Sequence, residues 1–127
     1  MKDMTIALNV TQATAQAFNG EASVLGKLYA IEYRPGTILT GATITVTTEG
    51  LASKPLLTKA SAGTSNVWFY PRDIIHKVAD GAAYTGTSGY DVCLPIMQGV
   101  PKVTVTSGWA SGATLIGAIT LYYEEED

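Results

Sequence analysis

The chain has 127 residues, 46% hydrophobic and 15% charged, with a formal net charge of -3. That composition excludes a disordered solvating segment, and the length suits one hydrophobic core rather than two, so residues 1–127 are read as a single domain. Four of the eleven acidic residues stand at 124–127, leaving seven acids against eight bases with no cluster of Lys or Arg, which excludes the basic stripe that direct nucleic-acid binding requires.

Residues 4–10 alternate Met4, Ile6, Leu8 and Val10 with Thr5, Ala7 and Asn9, the period of a pleated strand. The stretch 1–17 is then either a first strand or an extended N-terminal arm. Asn19-Gly20 suits a tight hairpin turn, which would return residues 21–33 antiparallel to what precedes them. Arg34-Pro35-Gly36 is a strong turn signal, because proline fixes one φ and glycine frees the next; residues 42–49, with Thr43-Ile44-Thr45-Val46-Thr47, form the following strand. Residues 55–60 read as a short strand beginning at Pro55, which favours an edge or first-residue position, and residues 66–70 carry the aromatic run Trp68-Phe69-Tyr70.

For residues 71–80 a short helix stopped by Gly81 and an extended connection are equally supported. Residues 81–89, rich in Gly, Ala, Thr and Ser, read as a loop or a weak hairpin. Residues 90–97, 102–106 and 114–123 are the last strands, and Glu124-Glu125-Glu126-Asp127 is an acidic tail read as a charged guard against edge-to-edge pairing. About eight short strands with turns between them predict an all-β domain, an antiparallel sandwich or jelly-roll-like barrel whose wiring stays open.

The chemistry-bearing residues are sparse. His76 is the only histidine, so triads and zinc sites that need a second imidazole have no material, and Arg72, Asp73 and His76 read as a hydrogen-bonded loop rather than an acid-base cluster. Cys93 cannot form an intrachain disulfide, and between Val92 and Leu94 it reads as an inert small hydrophobe. The glycines match neither a phosphate loop nor a dinucleotide fingerprint, and no carboxylate pair stands out. No catalytic residue, metal site or cofactor is therefore expected. Trp68, on a strand, reads as core; Trp109, flanked by Gly108 and Ala110-Ser111-Gly112, reads as an exposed contact residue. The N-terminus lacks a secretory leader and no stretch is long and apolar enough to span a bilayer, which points to synthesis in a reducing cytoplasm and no membrane partner.

The second half, from Trp68-Phe69-Tyr70-Pro71-Arg72 with His76 shortly after, through Asp80-Gly81-Ala82-Ala83, Tyr90 and Lys102-Val103-Thr104-Val105 to residues 117–124, resembles the small β-sandwich capsid decoration (cement) proteins of tailed bacteriophages. The resemblance implies a virion structural protein that docks on the outside of the head, bridges capsomers of the major capsid protein and assembles as a homo-oligomer. Under that reading Met4, Ile6, Leu8, Val10 and Trp109 lie at contacts, and Tyr70, Arg72 and His76 position the intervening loop. Two alternatives stand beside it: a carbohydrate-binding module that stacks sugars on Trp109, Tyr84 and Tyr90, and a neck or tail subunit.

Overall fold

A computed structural model of the chain describes residues 1–49, 55–74 and 92–125. Among these residues are eleven strands: β1 (Lys2–Val10), β2 (Gln16–Asn19), β3 (Val24–Arg34), β4 (Thr43–Thr48), β5 (Leu57–Lys59), β6 (Val67–Phe69), β7 (Asp73–Ile74), β8 (Val92–Cys93), β9 (Ile96–Gly99), β10 (Pro101–Thr106) and β11 (Leu115–Glu125). The first sheet runs β1-β11-β3-β6, with β9 taking the other half of β3's free side; the second runs β2-β10-β4-β5; β7 and β8 form a separate pair. All pairings are antiparallel.

The chain passes from one sheet to the other at β1 to β2, β2 to β3 and β3 to β4, and again at β5 to β6, β9 to β10 and β10 to β11. Numbering β10 and β11 as the seventh and eighth strands of the two sheets gives the orders 1-8-3-6 and 2-7-4-5. Those are the orders of a jelly roll, so the expected sandwich has that wiring.

The core follows from the pleat. Met4, Ile6, Leu8 and Val10 of β1 face Leu121, Ile119, Gly117 and Leu115 of β11, while Ile44, Val46, Val103 and Val105 close the core from the second sheet. This corrects the N-terminal reading. Met4, Ile6, Leu8 and Val10 are 4%, 2%, 0% and 0% exposed and serve the domain's own interior, so they are not contact residues and β1 is a first strand, not an arm. Leaving four such side chains in water would forgo roughly 1.5–3 kcal/mol each.

Asn19-Gly20 is no hairpin either. β2 pairs with β10 rather than β3, Gly20 N–H donates to the Pro101 carbonyl at 2.8 Å, and the chain crosses there between sheets. The proline turn is real but also crosses sheets: Gly36 has φ 56°, Ile38 N–H donates to Pro35 O at 2.9 Å, and Thr37 N–H bonds Ile116 O of β11 at 2.9 Å. At this corner Gly117 has no room for a side chain, since a Cβ there would lie 2.7 Å from Pro35 O and 2.9 Å from Arg34 O.

Other elements were placed more closely. β5 is an edge strand, as Pro55 suggested. Residues 90–97 divide at Leu94-Pro95 into β8 and β9, because proline carries no amide donor for the ladder. Residues 71–80 begin extended, at β7; residues 75–91 lie outside the described residues. Glu124 and Glu125 end β11 beyond its last pair with β1, Lys2 with Tyr123, and pair with β3 alone, so at these two positions β11 has a ladder partner on one side only. Glu126 and Asp127 lie outside the described residues.

One core group is out of place chemically. Tyr33 is 0% exposed and its hydroxyl is buried without a hydrogen-bond partner among the described residues; burial pushes its phenol above the ordinary value. A buried unsatisfied hydroxyl costs about 1–3 kcal/mol. Tyr33→Phe should therefore fold normally and raise the urea midpoint. The sign of the pH dependence follows from linkage: the unfolded chain loses this proton first, so stability is complete below a pH of about 10 and falls above it, and the variant should show a shallower alkaline decline.

Candidate functional site

With the inner faces committed to the core, the two outer faces carry what remains. On the first sheet the outward residues of β11 are Ile116, Ala118, Thr120 and Tyr122, opposite Asn9, Ala7, Thr5 and Asp3 of β1 and, across β3, Arg34, Glu32 and Ala30. β3 changes parity within this row. Tyr122 faces Ala30 and Tyr123 faces Leu28, so Tyr29 is the extra residue of a β-bulge, and bulges re-aim a side chain while leaving the ladder intact on both sides.

The short strand β6 settles Trp68. Val67 and Phe69 pack against the core, so the residue between them must point outward, opposite Glu32. Trp68 is 45% exposed and stacks on Tyr122 with ring centroids 5.0 Å apart and planes 28° from parallel. The expectation of a core Trp68 is thus overturned. Tyr70, just past the end of β6, is 58% exposed, and Arg72 follows. Arg72 Nη1 donates to the Tyr29 carbonyl at 3.0 Å and to the Pro71 carbonyl at 2.7 Å, and its guanidinium sits 5.6 Å from the centre of the Tyr29 ring. This cation-ring contact and the two hydrogen bonds hold Tyr29 and the end of β6 together.

A polar network lies beside these rings. Tyr122 Oη donates to Glu32 Oε1 at 3.4 Å, Arg34 Nε stands 3.9 Å from the same oxygen, and Arg34 Nη2 donates to Thr120 Oγ1 at 2.9 Å. Thr120 Oγ1 is also hydrogen-bonded to Thr5 Oγ1 at 2.9 Å. Burial pushes the Tyr122 phenol above its ordinary value, and the Glu32 carboxylate it bonds adds to the shift.

The outer face of the second sheet differs in kind. Thr43, Thr45 and Thr47 of β4 lie opposite Thr106, Thr104 and Lys102 of β10, and Thr58 of β5 and Ala17 of β2 extend the row through Thr45 and Thr104. It is a flat hydroxyl-bearing surface with Lys102 as its one charge among these paired positions.

Trp109 is not the exposed contact that its small neighbours suggested. Those neighbours let the loop settle onto the body: a Cβ on Gly108 would meet Ile38, Val105 and Ala42 at 3.0–3.2 Å. Trp109 then packs against the core, and its indole N–H bonds the Ala113 carbonyl. Cys93, read as an inert small hydrophobe, is a free and exposed thiol. Of the loop-positioning set, Tyr70 is exposed and Arg72 bonds the Tyr29 and Pro71 carbonyls; His76, and Tyr84 and Tyr90 of the sugar platform, lie outside the described residues.

The residues that the sequence reading missed are Tyr29, Glu32, Arg34, Thr120 and Tyr122. Parity on β6 and β11 would have found Trp68 and Tyr122, since their neighbours are the more apolar; the bulge that exposes Tyr29 leaves no mark in the sequence. Among the described residues no three of His, Cys, Asp and Glu are grouped to hold a metal, and no helix is long and apolar enough to cross a membrane. Comparison of the chain with protein-family models, curated proteins and solved structures finds no match.

Single-tryptophan variants should report the inversion directly: Trp109→Phe, leaving Trp68, gives red-shifted fluorescence quenched readily by acrylamide, whereas Trp68→Phe, leaving Trp109, gives blue-shifted and shielded emission. In a phenol absorbance titration Glu32→Gln should move one late-titrating tyrosine, Tyr122, downward toward the ordinary value, because a carboxylate next to a phenolate is removed.

Proposed function

We propose that the chain is a virion structural protein of a tailed bacteriophage, a decoration protein that docks on the outside of the head shell and joins neighbouring capsomers. The observation that carries this reading is the threonine face of the second sheet, Thr43, Thr45, Thr58, Thr104 and Thr106. Threonine is β-branched and stiff at χ1, so ordering it in an interface costs little entropy, and its neutral hydroxyl both donates and accepts without the desolvation cost of a charge. Such a face suits a flat protein surface better than a small ligand. The resemblance of the second half to decoration proteins supports the same reading, and jelly rolls recur in viral capsids, although also in lectins, so the wiring by itself does not choose.

On this reading the role is mechanical. Each copy contributes a modest contact with the major capsid protein and with its own neighbours, and the many contacts across the lattice resist detachment by avidity. Synthesis in the host cytoplasm and residence on the capsid exterior go with it.

The test uses heads assembled without this protein and then expanded. Added protein should bind saturably and raise the temperature at which the shells rupture, and the Thr45→Lys/Thr104→Lys variant, with an unchanged circular dichroism spectrum, should bind about a hundredfold more weakly because two charges must be desolvated. Equal binding by the variant, or rings and tubes formed by the purified protein without heads, would overturn the proposal; rings or tubes would instead indicate a neck or tail subunit.

A further inference from the structure

The outer face of the first sheet holds features that docking by the opposite face leaves unused. Three aromatic residues, Trp68, Tyr122 and Tyr29, lie at one end of this face, and Trp68 and Tyr29 are 45% and 43% exposed; Tyr70, 58% exposed, follows β6. Two are braced: Trp68 by its stack on Tyr122, Tyr29 by the guanidinium of Arg72. With Tyr122 against one side of the Trp68 ring, and β6 the last strand of its sheet at that level, the far side of the indole has no neighbouring strand among the described residues. Rigid rings of this sort supply contact area at little conformational cost.

The neighbours of the rings select the ligand. Glu32 and Arg34, with Thr120 between them, place a carboxylate and a guanidinium beside the stack, in a network that is only partly covered: the side chains of Glu32 and Arg34 are 19% and 44% exposed. A second protein laid over this end would bury that pair, at a desolvation cost that interface cores avoid by excluding charge. Nucleic acid would stack on the rings but needs excess positive charge for its phosphates, and the flanking groups balance: Lys27, Arg34 and Arg72 against Asp3, Glu32 and Glu124. A neutral pyranose meets both requirements. Its axial C–H face covers an aromatic ring, and its ring hydroxyls, each a donor and an acceptor, suit the partly exposed Glu32 carboxylate and Arg34 guanidinium.

We propose that this end of the first sheet binds neutral hexopyranose units of an oligosaccharide, with one sugar ring stacked on the side of Trp68 away from Tyr122 and its hydroxyls bonded to Glu32 and Arg34. The site stands apart from Trp109, which packs inward, and it does not depend on the capsid reading. The two are compatible, since a sandwich docked by one sheet presents the other to solvent.

The experiment is a glycan array of neutral hexopyranose oligosaccharides probed with the full chain, followed by calorimetric titration of the best binder. A dissociation constant of about 1 mM or tighter is expected, weakened about tenfold or more by Trp68→Ala and by Glu32→Gln, and unchanged by Trp109→Phe. Near-ultraviolet and far-ultraviolet circular dichroism establish that the variants are folded. The proposal is overturned if no oligosaccharide of the array binds at that strength, if Trp68→Ala binds as well as the parent, or if Trp109→Phe weakens binding equally. It is overturned too if Trp68→Ala abolishes attachment to heads while no sugar binds, which would make the aromatic face a protein contact.

Discussion

Everything in this molecule depends on the two-residue period of the pleated strand meeting a core that is closed from two sides. Each strand of the sandwich must surrender alternate residues to the interior, and Ile6, Leu8, Leu28, Ile119 and Leu121 from one sheet meet Ile44, Val46, Val103 and Val105 from the other with almost no solvent contact. A shift of one residue in any register would exchange the two faces of that strand, placing threonine or a charge in the core. The long pairing of β1 with β11, nine residues on each side, leaves no freedom for such a slip.

That constraint divides the surface into two faces of different chemistry. Residues left outward on the second sheet are chiefly threonines; those left outward on the first are aromatic at one end and carry the Glu32–Arg34 pair. At one end of the threonine row a cavity of about 360 Å³ is lined by Asn19, Thr47, Glu49, Val100 and Lys102. A docking face on one sheet and a stacking platform on the other are the two readings this chemistry supports, and both are compatible in one sandwich.

Two local departures from regular pleating shape the aromatic end. The bulge at Tyr29 turns this residue outward without disturbing Leu28 or Ile31, both of which stay in the core. At the other end of β3 the Pro35-Gly36 turn presses its carbonyl against Gly117, and the ladder of β11 survives only because position 117 has no side chain. The turn residue and the distant glycine are thus one packing unit. Glycine at 117 weakens β11 as a strand by itself, and its use there follows from the close approach of another backbone.

The strands with long, unbroken alternation were legible from the residues alone: β1, β4, β10 and most of β11 follow from period two, and Pro55 announced an edge. Period two also implied the threonine face, because Thr43, Thr45 and Thr47 share one side of any strand they form. What the sequence could not carry is partnership. Asn19-Gly20 specifies a change of direction, yet whether β2 pairs with β3 or with β10 is decided by which sheet buries Phe18 and which buries Val24, and that depends on strands eighty residues distant. The two tryptophans exchanged their expected places for the same reason. Composition around Trp109 says only that its loop is small; that smallness lets the indole reach the core, while Trp68 is expelled because Val67 and Phe69 take the inward positions on either side. Residue types along a chain set which faces are apolar, but burial is a property of what lies across the gap, and only the folded pair of sheets supplies it.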